Sequence, residues 1–143
     1  MIKNMKQLEK AIAIALKAHQ NQIDKGGKVY ILHPLRIMLQ MPTEELQIIA
    51  ILHDVVEDSN YTFDNLKKEG FSVRIIKALQ ALTKQDNEQY EDFIKRVKNN
   101  TLATKVKIAD IKDNSNIKRI KNPKIKDLER IKKYKKALKM LNK

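Results

Sequence analysis

One segment of the chain, residues 46–56, is apolar on almost every side of a helix. Its sequence, LQIIAILHDVV, lacks the continuous polar face that a surface helix presents to water. A helix of this kind is stable only when other elements surround it. The chain must therefore fold around this segment, and we expect it at the centre of the molecule.

The rest of the sequence favours a bundle of helices around that centre. Glycine and proline are scarce, at three residues each, and apolar residues recur at spacings of three and four over residues 5–19. We predict an all-α fold with one domain over residues 1–143, ending in a lysine-rich helix at about 123–142. The other predicted helices cover residues 33–41, 43–58, 62–68, 72–82, 87–98 and 102–120.

Composition excludes several kinds of site. The chain has no cysteine, so disulfides and thiolate ligands are excluded and any metal must be held by nitrogen and oxygen. No apolar run is long enough for a signal peptide or a membrane span. We therefore expect a cytoplasmic protein without a membrane partner.

The positive charge is concentrated at the end of the chain. Residues 118–143 contain twelve lysines and arginines against two acidic residues, which is +10 of the total +13. For this segment we favour a solvated helix face over a nucleic-acid surface, and we keep the second interpretation as an alternative. Such a face also raises the local concentration of polyanions.

The central helix ends in a polar cluster, His53-Asp54-Val55-Val56-Glu57-Asp58. Positions four apart share a helix face, so a continuous helix places His53 over Glu57 and Asp54 over Asp58. Acidic groups in a buried setting need a compensating charge. His33, next to Pro34 at the start of the preceding helix, can lie close to them if the two helices are antiparallel. Taken singly, His33 is also explained as a helix cap, and the acidic pair as a solvated helix end.

A second polar interruption lies in the other half of the chain. Asp110 and Asn114 are one turn apart in a helix that is otherwise apolar around them. If this helix faces the central one, His33, His53, Asp54 and Asp110 supply two imidazoles and two carboxylates to one divalent cation. Mn²⁺, Fe²⁺, Zn²⁺ and Mg²⁺ all accept such ligands. An exposed acidic face is the alternative for Asp110.

Four strings of the sequence together resemble a known family. They are AHQNQIDKGGKVYILHPLRI, ILHDVVEDS, KALQALTK and VKIADIKDNSN, within residues 8–120. They are similar to the HD-domain hydrolases of the RelA/SpoT type and to the small alarmone hydrolases. The resemblance implies an HD-type helical bundle that binds one Mn²⁺ through His33, His53, Asp54 and Asp110. It also implies that Glu57 and Asp58 position or activate the attacking water.

The resemblance further implies a reaction and a nucleotide substrate. The family removes pyrophosphate from the 3′ position of ppGpp or pppGpp, and its counterpart of Asn114 contacts the nucleotide. Lys25 and Lys28, on the glycine loop, suit the polyphosphate, although surface lysines are common in such loops. Tyr90 lies in EQYEDFIKR, which resembles a substrate-proximal segment of the family, and a packing role explains it equally well. His19, on an apolar stripe, is interpreted as structural.

Two departures from the family pattern bear on the substrate. Asp24 stands where the family usually has an arginine beside the guanine, and its string ADRLHNMR reads ADIKDNSN here, at residues 109–116. We therefore keep a nucleotidase or pyrophosphohydrolase with a different nucleotide as an alternative. A vestigial HD site on a nucleic-acid-binding module, working through the basic helix, is the second alternative. The sequence indicates nothing about oligomeric state.

Overall fold

The computed structural model describes residues 5–143, and the predicted all-α fold is confirmed over this range. The helices are α1 (Gln7–Ala18), α2 (Leu32–Gln40), α3 (Glu44–Leu52), α4 (Val55–Asp58), α5 (Phe63–Lys68), α6 (Val73–Ala81), α7 (Tyr90–Lys98), α8 (Thr101–Asn114) and α9 (Ile125–Leu141). A one-turn 3-10 helix, Ile117–Arg119, precedes α9. No helix in the described part of the chain combines the length and hydrophobicity needed to span a bilayer.

The apolar segment of the sequence lies at the centre of the bundle, as expected. α3 packs against α1, α2, α6 and α8, and Ile49, Ala50 and Ile51 have no exposed surface. Its first turn is capped by Thr43, whose hydroxyl accepts from the Leu46 N–H. Burying an isoleucine side chain stabilises a fold by roughly 1.5–3 kcal/mol. Packing against this apolar segment therefore stabilises the arrangement of the surrounding helices.

The central helix is broken where the sequence predicted continuity to residue 58. α3 ends at Leu52, and His53 and Asp54 form a turn before α4 begins. The His53 Nδ1–H donates to the Ala50 carbonyl at 2.6 Å, which is the acceptor that the Asp54 N–H would use in a continuous helix. A side chain that takes a backbone acceptor competes with the helix. Glu57 and Asp58 were expected in a buried setting, but both residues are exposed and neighbouring groups remove only part of their solvation.

Two other helices are shorter than predicted, and local backbone chemistry explains both. α7 begins at Tyr90 because Asn87 has a φ of 64°, outside the range of a right-handed helix. α8 ends at Asn114, where the Ser115 hydroxyl donates to the Ile111 carbonyl. The Asn116 side chain then caps the 3-10 turn.

The lysine-rich helix packs through its second half only. α9 contacts α7 and α8, and Ala137 and Leu141 are buried. Ile125 and Leu128 are exposed, although they share the apolar spacing of three and four residues that includes Leu138 and Leu141. The first turns of α9 instead lie next to the loop that contains Lys25 and Gly26.

Candidate metal centre

His53 presents a free ring nitrogen to the interior. Its Nδ1 bonds to the Ala50 carbonyl, which can only accept, so Nδ1 carries a proton and the lone pair of the neutral imidazole is on Nε2. Nε2 is buried and forms no hydrogen bond with any described residue. It lies 2.9 Å from Asp54 Oδ2 and 3.4 Å from Asp110 Oδ1. A buried lone pair that faces two carboxylates is suited to a cation between them.

His33 is oriented by a carboxylate behind it. Its Nδ1 lies 2.6 Å from Asp113 Oδ2, and Asp113 is itself held by Arg36 through two bonds of 2.9 Å. The opposite nitrogen, Nε2, lies 2.9 Å from Asp110 Oδ1 and 4.0 Å from Asp54 Oδ2. A carboxylate on one imidazole nitrogen is the usual support of a metal-binding histidine, because it directs the other nitrogen to the ion.

The two carboxylates of the cluster have partners of their own. The Tyr30 hydroxyl donates to Asp54 Oδ2. Asp110 is buried on α8, where Lys107 donates to its Oδ2 at 2.9 Å and Asn114 to its Oδ1 at 3.1 Å. Burial would raise the pKa of Asp110, but the Lys107 ammonium and the His53 imidazole hold it well below its usual range. Both acidic side chains are thus kept as anions.

The cluster as a whole demands positive charge. Burial would lower the pKa of His53, yet the carboxylates of Asp54 and Asp110 raise it well above its ordinary value. A divalent cation satisfies the same demand without protonating the imidazoles. One donor atom from each of His33, His53 and Asp54 lies within 4.8 Å of the others, and Asp110 touches both histidines. The residues present therefore fit a divalent ion with two nitrogen and two oxygen ligands.

Glu57 and Asp58 lie on α4, immediately after this cluster. Partial burial and the charge of Asp54 raise the pKa of Glu57. Partial burial, with the charges of Asp54 and Glu57, raises the pKa of Asp58 to about 6. Carboxylates at this position, next to the candidate ion site, are suited to exchanging a proton with water.

A cavity with a volume of about 370 cubic ångströms opens beside His33 and Asp113. Of the four residues predicted to bind substrate, Lys25 and Asn114 line it. Lys28 is exposed and is absent from its lining. Tyr90 lies outside the cavity and packs against Phe93, with its hydroxyl buried and unpartnered among the described residues.

Asp24 shapes the loop that borders the cavity. Its Oδ1 accepts from the Gly26 N–H at 2.8 Å and from the Lys28 N–H at 3.0 Å, so the carboxylate closes the turn. A side chain on Gly26 would place its Cβ 2.5 Å from the Arg119 carbonyl oxygen. Asp24, which differs from the family pattern, is therefore part of a turn that packs closely against the segment after α8.

Sequence reasoning missed three groups that contact the cluster directly: Tyr30, Lys107 and Asp113. Each is three residues from a predicted ligand along the chain, Tyr30 before His33 and the other two on either side of Asp110. In a helix that spacing places two side chains on one face. Applying it outward from each ligand would have identified Lys107 and Asp113.

The chain is similar to known proteins in sequence and in fold. No protein-family model matches the chain. A guanosine-3′,5′-bis(diphosphate) 3′-pyrophosphohydrolase of Aquifex aeolicus is 33% identical over 89 residues, covering 59% of this chain and 13% of that protein. The protein of the same name from Haemophilus influenzae is 33% identical over 112 residues, covering 68% of this chain and 16% of that protein. The chain thus spans only a small part of the length of these curated relatives.

A solved structure shares the fold. The solved structure is that of a protein described as a metazoan ortholog of SpoT that hydrolyzes ppGpp and plays a role in starvation responses. It superposes with a TM-score of 0.76 over 96% of this chain and 85% of that chain, at 18% sequence identity. At that identity the likeness supports the arrangement of the helices.

Proposed function

We propose, on the premise that this chain is an HD domain of the RelA/SpoT hydrolase type, that it removes the 3′-pyrophosphate of ppGpp or pppGpp. The observation that carries the proposal is the buried, unpartnered His53 Nε2 facing Asp54 and Asp110, with His33 beside it. The cavity next to this cluster is lined by four cations, Lys25, Arg36, Arg119 and Arg130, and by the two carboxylates of Asp24 and Asp113. A cation site next to a basic cavity suits a phosphorylated substrate.

We assign the metal to His33, His53, Asp54 and Asp110, and we propose Mn²⁺ as the ion because the family resemblance implies it and mixed nitrogen and oxygen ligands accept it. When bound, a divalent ion makes a nearby water molecule more acidic and withdraws electron density from a phosphoryl oxygen. Tyr30, Lys107 and Asp113 hold three of the four ligands in place through the bonds described above.

Glu57 and Asp58 are assigned the handling of the attacking water. In this reaction the water oxygen bonds to phosphorus, and the bond from that phosphorus to the ribose 3′-oxygen breaks. A carboxylate at this position can take a proton from the water and return one to the leaving 3′-oxygen. The products are pyrophosphate and a nucleotide with a free 3′-hydroxyl.

The lysine-rich helix belongs to the same proposed unit. Arg130 and Tyr134 of α9 line the cavity, together with the loop at Lys25. We therefore propose that residues 1–143 act as one HD hydrolase domain that includes α9. A cytoplasmic location, which was predicted from the sequence, suits a nucleotide substrate.

Pyrophosphate release from a nucleotide panel tests the proposed substrate. With Mn²⁺ added, ppGpp and pppGpp should be turned over faster than GTP, GDP and adenine nucleotides, and Asp54→Asn should abolish the reaction. Failure of ppGpp turnover in a preparation that contains the metal would overturn the proposal.

A different nucleotide substrate is the second candidate, and Asp24 favours it. This carboxylate lines the cavity and closes the turn at the position where the family usually has an arginine beside the base. An anion there interacts with a base differently from a guanidinium. Brisk turnover of another nucleotide in the same panel, with ppGpp inert, would establish this alternative.

A further inference from the structure

We propose that Gln22 and His19 are positioning residues for the hydrolysis, because together they fix the end of α4. That helix carries Glu57 and Asp58, so the inference rests on the proposed function, in which these two carboxylates handle the attacking water. Neither Gln22 nor His19 lines the cavity beside His33. Both residues therefore act through α4 and not on the substrate.

α4 is too short to hold its own position. It is a single turn of four residues, Val55–Asp58, and helices of that length are not stable on their own. Val55 is fully buried and anchors the start of the turn, whereas Glu57 and Asp58 are exposed at its end. The position of that end therefore depends on bonds from other elements.

Gln22 supplies such a bond from the segment that follows α1. Its side-chain amide donates to the Asp58 carbonyl at 2.9 Å and to the Ala18 carbonyl at 3.3 Å. These residues end α4 and α1, and a carbonyl at the end of a helix has no partner within that helix. Within residues 5–143, no other residue outside residues 54–59 bonds to the α4 backbone. The Gln22 amide thus joins the ends of the two helices.

His19 fixes the orientation of the Gln22 amide. Both acceptors of that amide are carbonyls, so its NH₂ group faces them and its Oε1 accepts from the His19 Nδ1–H at 2.8 Å. His19 is only 2% exposed, and its Nε2 is buried without a partner among the described residues. A leucine would fill the same space without leaving a nitrogen unpartnered. The bond to Gln22 therefore explains a histidine at this position better than packing does.

The same segment also supports the neighbouring metal centre, but through other atoms. The Gln22 carbonyl accepts from the Tyr30 N–H at 2.8 Å, and the Tyr30 hydroxyl donates to Asp54. The His19 ring packs against the Tyr30 ring, with 4.9 Å between the centroids. A change to the Gln22 side chain leaves these contacts in place. Such a variant therefore alters the support of α4 without removing that of Asp54.

Steady-state kinetics of the full chain with Mn²⁺ test the role of Gln22. Gln22→Met keeps the length of the side chain but cannot donate to Asp58. We expect kcat to fall about tenfold, because misplacing reacting groups by about 1 Å costs up to about 100-fold, while KM and the Mn²⁺ affinity stay unchanged. Gln47→Met is the matched control, since Gln47 is also partly buried and donates to a backbone carbonyl, that of Met41. This control should keep the wild-type kcat.

His19→Asn and His19→Leu test the role of the imidazole. The asparagine amide nitrogen lies as many bonds from the backbone as Nδ1 does, so it can still donate to Gln22, whereas leucine cannot. We expect kcat to be roughly 2- to 10-fold higher in His19→Asn than in His19→Leu, the scale of one neutral hydrogen bond. Equal kcat values in the two variants would show that His19 serves packing alone.

Hydrogen exchange of the Asp58 amide separates this inference from the proposed function. That N–H donates to the Asp54 carbonyl across α4, so a looser turn in Gln22→Met should exchange it faster, and Gln47→Met should not. If the chain hydrolyses no nucleotide, the proposed function fails, whereas exchange still shows whether Gln22 holds α4. Wild-type kcat in Gln22→Met, an equal loss of kcat in Gln47→Met, or unchanged exchange of the Asp58 amide would overturn the inference.

Discussion

Asp113 determines which ring nitrogen of the proposed metal ligand His33 faces the ion site. Its carboxylate lies 2.6 Å from His33 Nδ1 and is held in turn by Arg36 and Arg119. Those cations and the imidazole outweigh burial and keep the pKa of Asp113 far below its usual range. The anion therefore persists at any pH at which the protein works, and it fixes which His33 nitrogen faces Asp110.

Asp113→Asn should weaken Mn²⁺ binding about 10- to 100-fold, the usual effect of losing the carboxylate behind a metal-binding histidine. The amide keeps the shape of the side chain but loses its charge. Arg36→Gln is the control, since Arg36 contacts Asp113 and forms no bond with His33; its effect should be smaller. Equal Mn²⁺ affinity in Asp113→Asn and the wild-type protein would contradict this role.

Glu57 should matter for the rate and not for the metal. It is exposed on α4 and outside the cluster of His33, His53 and Asp54. We expect Glu57→Gln to keep its metal while the hydrolysis rate falls by roughly 10²- to 10⁴-fold, the span of one acid or base group. Metal content and initial rates measured on one preparation check this, with Asp54→Asn as the variant that loses both. Equal metal loss in the two variants would refute the division of roles.

At the scale of elements, Arg96 joins α7 to the end of α6. Its guanidinium donates to both oxygens of Glu88 at 2.9 Å and to the carbonyls of Gln80 and Thr83. The bonds from Arg96 lower the pKa of Glu88 from 4.5 to about 2. One residue thus fixes the loop between two helices that pack against α8.

This clamp predicts a pH dependence of stability. Because the folded pKa of Glu88 is depressed, its contribution is present above about 4.5 and is lost as the pH falls toward about 2. Glu88→Gln should lower the free energy of unfolding by about 1 kcal/mol at pH 7, since the pair is partly exposed. Urea denaturation at pH 7 and pH 2.5 measures it. A difference between variant and wild-type protein that stays the same at both pH values would show that the ion pair contributes nothing.

Elements were predicted well where backbone chemistry is local. Thr43 marks the start of α3 because its own hydroxyl caps the helix. The break at His53 was missed because it depends on where one imidazole points. The left-handed conformation of Asn87 also left no signal in the apolar pattern. Periodicity gives the face of a helix, whereas its end depends on single hydrogen bonds.

For the whole molecule, the order of helices brings residues from both halves of the chain together. His33 follows a loop, His53 and Asp54 end the central helix, and Asp110 faces them from α8. The sequence predicted that these four residues lie close together, because each is a polar side chain that interrupts an apolar surface. It could not predict that α9 would border the cavity through Arg130 and Tyr134, since nothing in a basic amphipathic pattern says which side it packs on.

The number of Mn²⁺ ions bound per chain tests the central claim most directly. Equilibrium dialysis followed by metal analysis should give one ion for the wild-type protein and for Asp64→Asn, an exposed carboxylate on α5 that serves as the control. Asp110→Asn should retain far less, because the ion would lose an anionic ligand on α8. If Asp110→Asn binds one Mn²⁺ as tightly as the wild-type chain, His33, His53, Asp54 and Asp110 do not share a cation.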